Sequence, residues 1–108
     1  MIIISKYLVP KGYIGITIFP FMVLKYEALR VKDVLINHEK IHLRQQIELL
    51  IIPFFLIYVF EFLIRLIKYR NWDLAYRNIS FEREAYRNEK DLDYLKSRPF
   101  LNFLNYFN

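Results

Sequence analysis

The only two histidines of the chain lie four residues apart, in the segment His38-Glu39-Lys40-Ile41-His42. On an α-helix this spacing corresponds to about 40° of rotation and about 6 Å of rise, so both imidazoles project from one face. Two imidazoles placed in this way can bind one zinc ion, and the intervening Glu39 can reach a metal-activated water without binding the metal itself. We therefore predict that His38 and His42 are zinc ligands and that Glu39 is a general base.

A catalytic zinc site needs a third protein ligand and one open position. Because the chain has no cysteine and no further histidine, the third ligand must be a carboxylate. Glu48 lies further along the same predicted helix, and Glu61 is spaced from Arg65 as an exposed helical ion pair would be. Glu82 and Glu84, on a later segment, are the better candidates.

The elements that position these residues follow from the pattern of side chains. Apolar and motif residues recur three or four apart from Val31 onwards, which predicts a motif helix over residues 31–52 that is apolar on more than one face. The first thirty residues are rich in β-branched and aromatic types and are interrupted by proline and glycine, which predicts short strands that form an antiparallel sheet packed against the helices. Their predicted bounds are Ile2–Val9, Tyr13–Phe19 and Phe21–Tyr26.

Further helices are predicted after the motif helix. An apolar helix over residues 54–69 is followed by a polar, irregular connector over 68–79. A last helix over 80–97 begins at a cap formed by Ser80 or Asn78, and Pro99 ends it. The apolar tail over 98–108 must dock on the core, on a partner or on a membrane surface.

Length and composition agree with one domain of the α+β class that is mostly α. The 108 residues are 56% hydrophobic and 25% charged, with only two glycines and four prolines, so a disordered chain and an all-β sandwich are disfavoured. The net charge of +5 is scattered along the chain rather than clustered on one stripe, so we do not expect nucleic-acid binding.

A membrane contact is a separate question. The uncharged run from Leu49 to Phe60 rises about 18 Å, short of the hydrocarbon core of about 30 Å, so a core or membrane-surface helix is favoured over a span. The first residues carry no evident signal peptide. We therefore expect a cytoplasmic protein in which residues 49–67 and 100–107 are the candidate contacts with a membrane surface or a partner.

The motif with Glu82-Arg83-Glu84-Ala85 forty residues after His42 resembles the gluzincin arrangement of HExxH and ExxA. Over residues 31–88 the chain is similar to integral-membrane peptidases of the prenyl-protease and beta-lactam-sensor type. The resemblance implies a zinc peptidase with His38, His42 and Glu82 as ligands and Glu39 as the base. Glu84 stays open as the alternative third ligand. Tyr86 stands where family members commonly have an Asp that supports a ligand histidine.

Several other residues keep two interpretations. A segment within Ile14–Tyr26 is a candidate for holding extended peptide by strand addition. Gln45 and Gln46 either brace a ligand or line the cleft, or they belong to a polar helix surface. Three side chains are interpreted equally well as assisting an oxyanion or as packing and surface charge: Tyr76, Arg77 and Tyr86.

Two functions from different classes follow from these patterns. The first is a zinc metallopeptidase that hydrolyses a peptide or protein substrate through metal-activated water. The second is a non-catalytic zinc-binding or interaction protein that attaches to a membrane or a partner through residues 49–67 and 100–107. They differ in what happens when Glu39 is replaced by Gln, because only the first function needs its carboxylate.

Overall fold

The computed structural model describes residues 1–107 and confirms an α+β fold that is mostly helical, with 59% helix and 10% strand. Strands β1 (Ile2–Ile4), β2 (Gly15–Ile18) and β3 (Phe21–Leu24) form one sheet in the order β1-β3-β2. The predicted antiparallel sheet is wrong for one of its two pairings: β2 is antiparallel to β3, but β1 is parallel to it. The segment between β1 and β2 reverses the chain and places β1 on the far edge of β3.

The described residues contain five α-helices rather than the expected three or so. Two short 3-10 helices lie at Glu27–Val31 and Asn102–Tyr106. The α-helices are α1 (Asp33–Glu48), α2 (Ile52–Tyr69), α3 (Trp72–Arg77), α4 (Ser80–Asn88) and α5 (Tyr94–Ser97).

Two predicted boundaries differ for local reasons. The motif helix ends at Glu48 rather than at residue 52, because Leu50 and Ile51 adopt positive φ angles of 59° and 30°. The connector predicted to be irregular contains α3, because the Asn71 side chain accepts a hydrogen bond of 3.0 Å from the Leu74 amide and caps the helix.

The helix predicted over residues 80–97 is interrupted by a contact from α1. The Asn37 side-chain amide donates to the carbonyl oxygens of Asn88, Glu89 and Asp91, at 3.3, 2.8 and 2.9 Å. These carbonyls are therefore satisfied outside a continuous helix, and α4 ends at Asn88.

Glu61 is not the exposed ion-pair partner that its spacing from Arg65 predicts. Its side chain is buried, and it accepts hydrogen bonds from the Ser80 amide at 2.5 Å and the Ser80 hydroxyl at 2.7 Å. Arg65 lies 3.5 Å away and is largely buried as well. A carboxylate from α2 thus satisfies the start of α4, where neither Ser80 nor Asn78 caps the helix with its own side chain.

Residues 98–107 of the apolar tail dock on the core, which is one of the three predicted alternatives, and Asn108 lies outside the described residues. Phe103 is buried against Phe81, with 4.5 Å between ring centroids, in a cluster with Phe54 and Ile79. By contrast, the outer face of α2 leaves large apolar side chains exposed, among them Phe60 and Ile67.

None of the helices within residues 1–107 is by itself long and apolar enough to cross a membrane. Helices α1 and α2 have the length and apolar composition of a membrane span only when they are taken together, and the chain bends by 113° between them.

Candidate metal centre

Three side chains from two helices converge in the interior of the fold. His38 and His42 come from adjacent turns of α1, and Glu82 comes from the first turn of α4. Glu82 Oε1 lies 3.1 Å from His42 Nε2 and 3.3 Å from His38 Nε2, and the two Nε2 atoms are 3.2 Å apart. All three residues are buried. This group could hold a metal ion.

The spacing of these atoms suits a small four-coordinate ion. If each ligand lies about 2.0–2.1 Å from the ion, tetrahedral geometry separates the ligand atoms by about 3.3 Å. The separations of 3.1–3.3 Å within the group agree with that value. Two imidazole nitrogens and one carboxylate oxygen are also donors that divalent first-row metals accept.

The close approach of α1 and α4 brings the three ligands together. Ile41 and Ala85 are fully buried where the two helices meet. Ala85 follows Glu82 by three residues and therefore lies on nearly the same face of α4, where its small side chain lets the helices pack closely. Glu61 fixes the start of α4 through Ser80, which places Glu82 in its first turn.

Each imidazole is held through the nitrogen that faces away from the ligand group. His38 Nδ1 lies 2.9 Å from Glu89 Oε1, and His42 Nδ1 lies 2.8 Å from Gln45 Oε1. Such contacts fix the orientation of the ring and leave both Nε2 atoms for an ion. Gln45 therefore braces a histidine, and the support of His38 comes from Glu89. Tyr86 instead packs its ring edge-on against His38, with centroids 4.6 Å apart.

The second oxygen of Glu82 also has a partner. The Tyr58 hydroxyl on α2 donates a hydrogen bond of 2.7 Å to Glu82 Oε2, so Oε1 is the atom presented to the histidines. Burial and the charge of Glu82 both raise the pKa of Tyr58 well above its usual value. The phenol therefore stays protonated and remains a donor.

The charges of the metal-free group depend on one another. Burial is the largest single effect on the pKa of His42 and lowers it, but the charges of Glu82 and Glu39 and the hydrogen bonds to Glu82 and Gln45 together outweigh burial and raise the pKa to about 9. Burial likewise raises the pKa of Glu82, whereas the charge of His42 and hydrogen bonds from both histidines bring it well below its usual range. The buried carboxylate is thus ionised at neutral pH and ready to bind a cation.

Glu84, the alternative third ligand, is bound by other side chains and does not face the two histidines. Burial raises its pKa, but hydrogen bonds from Arg98, Tyr94 and Gln45 outweigh this and lower the pKa overall. Arg98 also donates to Glu48 at 2.7 Å. Glu48 and Glu84 therefore form a buried ion-pair network with Arg98, and neither belongs to the ligand group.

The Glu39 side chain points towards strand β2. It is buried, and the Thr17 hydroxyl donates a hydrogen bond of 2.6 Å to Glu39 Oε1. A Cβ atom added at Gly15 would lie 3.6 Å from Glu39 Oε2. The carboxylate is thus held beside β2, with His42 and Glu82 lining the same cavity.

Two cavities meet at Glu39. One has a volume of about 410 Å³ and lies between β2 and α2, and the other has about 550 Å³ and reaches His38 and Glu89. Glu39 lines both. The larger part of the first cavity wall is apolar, and seven of its side chains are aromatic: Tyr13, Phe54, Phe55, Tyr58, Phe62, Trp72 and Tyr76.

The remaining predicted residues divide between cleft and surface. Tyr76 lines both cavities, whereas Arg77 pairs with Asp73 at the surface and stacks on Tyr86. Gln46 bonds to β2, through its amide nitrogen to the Thr17 carbonyl at 2.7 Å. No sequence pattern singles out Thr17, Tyr58 or Glu89, because each contacts the site from a distant part of the chain.

No family model, no curated protein and no solved structure matches this chain. The geometry and chemistry of the described residues therefore carry the functional conclusion alone.

Proposed function

We propose that this protein is a zinc-dependent metallopeptidase of the gluzincin kind, with His38, His42 and Glu82 as ligands and Glu39 as general base. The observation that carries the proposal is the convergence of two Nε2 atoms and Glu82 Oε1 to within 3.1–3.3 Å, with Glu39 on an adjoining cavity wall. Zinc accepts this set of donors and this spacing. When bound, it polarises a substrate carbonyl and acidifies water.

Residues of the chain itself transfer the proton, orient the reacting side chains and exclude water. Glu39 accepts the proton of the attacking water and delivers it to the leaving amine. Thr17 holds one carboxylate oxygen of Glu39 and leaves the other for the proton. Glu89 and Gln45 hold the imidazoles, and the aromatic wall of the cavity excludes bulk water from the reacting groups.

The test is Glu39→Gln in zinc-loaded protein, with Glu27→Gln as the matched control because Glu27 is exposed and lines neither cavity. Both variants are incubated with a peptide mixture from a digested proteome, and new termini are read by mass spectrometry. We expect zinc-dependent cleavage by the wild type and by Glu27→Gln, and a rate at least about 100-fold lower for Glu39→Gln with unchanged zinc content. Equal cleavage by all three proteins, or none by the wild type, would contradict the proposal.

A second candidate function, attachment to an anionic lipid surface, is favoured by the outer face of α2. Leu56, Phe60 and Ile67 are more than half exposed there, and Lys68 and Arg70 follow directly with charges that attract anionic headgroups. Interfacial helices combine such an apolar face with cations.

Sedimentation with vesicles of phosphatidylcholine and phosphatidylglycerol separates this function from the first. We expect Phe60→Glu to weaken binding at least about tenfold. Tyr7→Glu, a change at an aromatic residue that lies elsewhere and is even more exposed, should leave binding nearly unchanged. Failure of the wild type to sediment would reject lipid attachment and leave the peptidase proposal intact.

A further inference from the structure

The outer edge of β2 runs past Glu39. Because the strand order is β1-β3-β2, β2 has a neighbouring strand on one side only within residues 1–107. The Lys25 amide donates to the Ile14 carbonyl at 2.9 Å, and Ile16 is paired with Val23. The N–H and C=O groups of successive residues in a strand point to opposite sides. Because those of Ile14 and Ile16 point towards β3, those of Gly15 and Thr17 point away from it.

One position on this edge is already occupied by a side chain. The Gln46 amide nitrogen donates to the Thr17 carbonyl at 2.7 Å, and the Phe19 amide donates to Gln46 Oε1 at 2.6 Å. Gln46 thus imitates a paired strand at that end. Gly15, at the other end, presents its main chain beside Glu39 without such a partner among residues 1–107. An extended peptide bound there would place its own main chain next to the general base.

The cavity beside this edge is suited to an apolar side chain. Its volume of about 410 Å³ is within the range of ligand pockets, about 300–1,000 Å³. Phe55, Val59 and Phe62 form its α2 wall. Within the described residues no lysine or arginine lines it, and its only acidic groups are Glu39 and Glu82, which belong to the site already described. An acidic side chain would lie there without a cation and beside the like charges of Glu39 and Glu82, and the rest of the wall offers a basic side chain no counter-ion.

From this combination we infer the substrate class: an extended peptide whose main chain pairs with β2 at Gly15 and whose large aromatic or branched aliphatic side chain fills the cavity. The inference rests on the proposed peptidase function and deepens it. It follows from an unpaired strand edge and an apolar cavity that meet at one carboxylate, Glu39. The peptide supplies hydrogen bonds through its main chain and buries apolar area through the side chain.

The probes are three peptide hydroxamates that differ only in one side chain, which is that of Phe, Ala or Asp. Trp72 is the only tryptophan of the chain and lines the cavity, so its fluorescence reports occupancy without any turnover. With zinc-loaded Glu39→Gln protein, we expect the Phe probe to bind at least about tenfold more tightly than the Ala probe and the Asp probe to bind most weakly.

Two variants of α2 locate the effect. Val59→Glu places a charge on the cavity wall, whereas Ile67→Glu makes the same change at an exposed position outside the cavity. We expect Val59→Glu to remove the preference for Phe over Ala while the Ala probe still binds, which a folding defect would not do. Ile67→Glu should keep the preference.

The outcomes separate this inference from the function on which it rests. Zinc-dependent binding of all three probes with equal affinity would overturn the substrate class and leave the metal site standing. Binding that does not depend on zinc, or no binding, would overturn both. A preference for Phe that survives in Val59→Glu would place the apolar side chain elsewhere and would also overturn the inference.

Discussion

Glu89 Oε1 lies 2.9 Å from His38 Nδ1, on the side of the ring opposite to Glu82. The two residues are fifty-one positions apart, and Glu89 lies directly after the end of α4. The contact selects the form of His38 that presents Nε2 to a metal.

Replacing Glu89 should therefore weaken metal binding without removing a ligand. We expect Glu89→Gln to lower zinc affinity about 10–100-fold, the usual effect of losing an outer carboxylate. Competition with a chromophoric chelator measures the change, and Glu27→Gln should bind as the wild type does. Unchanged affinity in Glu89→Gln would show that this contact does not support the site.

Thr17 should affect turnover more than metal binding, because its hydroxyl donates to Glu39 and to no ligand. Thr17→Val keeps the shape of the side chain and removes the donor. We expect zinc content to stay unchanged and the cleavage rate to fall about tenfold, since the cost of one hydrogen bond is about 1–1.5 kcal/mol. A proportional loss of zinc would instead assign Thr17 to the stability of the metal group.

Zinc uptake should release a proton at neutral pH. Burial lowers the pKa of His42, but the charges of Glu82 and Glu39 and the hydrogen bonds to Glu82 and Gln45 together raise it to about 9, so the metal-free ring is protonated and zinc must displace that proton. Because the folded pKa is raised, the His42–Glu82 pair stabilises the metal-free protein fully below pH of about 6.5 and loses this effect as the pH rises through about 9.

Zinc affinity should consequently rise by up to about tenfold per pH unit between pH 7 and 9 and then level off. Calorimetry in two buffers with different heats of ionisation counts the protons released. An affinity that stays constant from pH 7 to 9 would contradict this account of His42.

Arg98 should be a main determinant of stability. Its side chain is fully buried between Glu84 and Glu48. We expect Arg98→Leu to lower the free energy of unfolding by about 3–5 kcal/mol, because it leaves two buried carboxylates without a cation. Urea unfolding of the metal-free protein measures this, with Lys96→Leu as the exposed control. A loss below about 1 kcal/mol would show that the network contributes little.

The local part of this fold could be predicted from the sequence. Helix α1 follows from apolar spacing, and the orientation of His38 and His42 follows from helix geometry alone. Glu82 could be proposed as a partner because the alternatives were few and the ExxA pattern resembled a known arrangement.

The rest depends on contacts between distant residues. Asn37 ends α4 by bonding to carbonyls near Asn88, and Glu61 caps the same helix from α2. The spacing of Glu61 from Arg65 favours an exposed ion pair. Sequence periodicity does not show which face of a helix its neighbours cover, so the burial of both side chains could not be predicted. Likewise, β1 is parallel to β3 because of a chain reversal that no short pattern records.

The most direct test of the metal site is the zinc content of purified, zinc-loaded and desalted protein, measured by elemental mass spectrometry. The wild type and Glu27→Gln should each retain about one zinc per chain, whereas His42→Ala and Glu82→Gln should retain almost none while keeping the helical circular dichroism of the wild type. Equal zinc in all four proteins, or a wild type that retains none, would contradict the site.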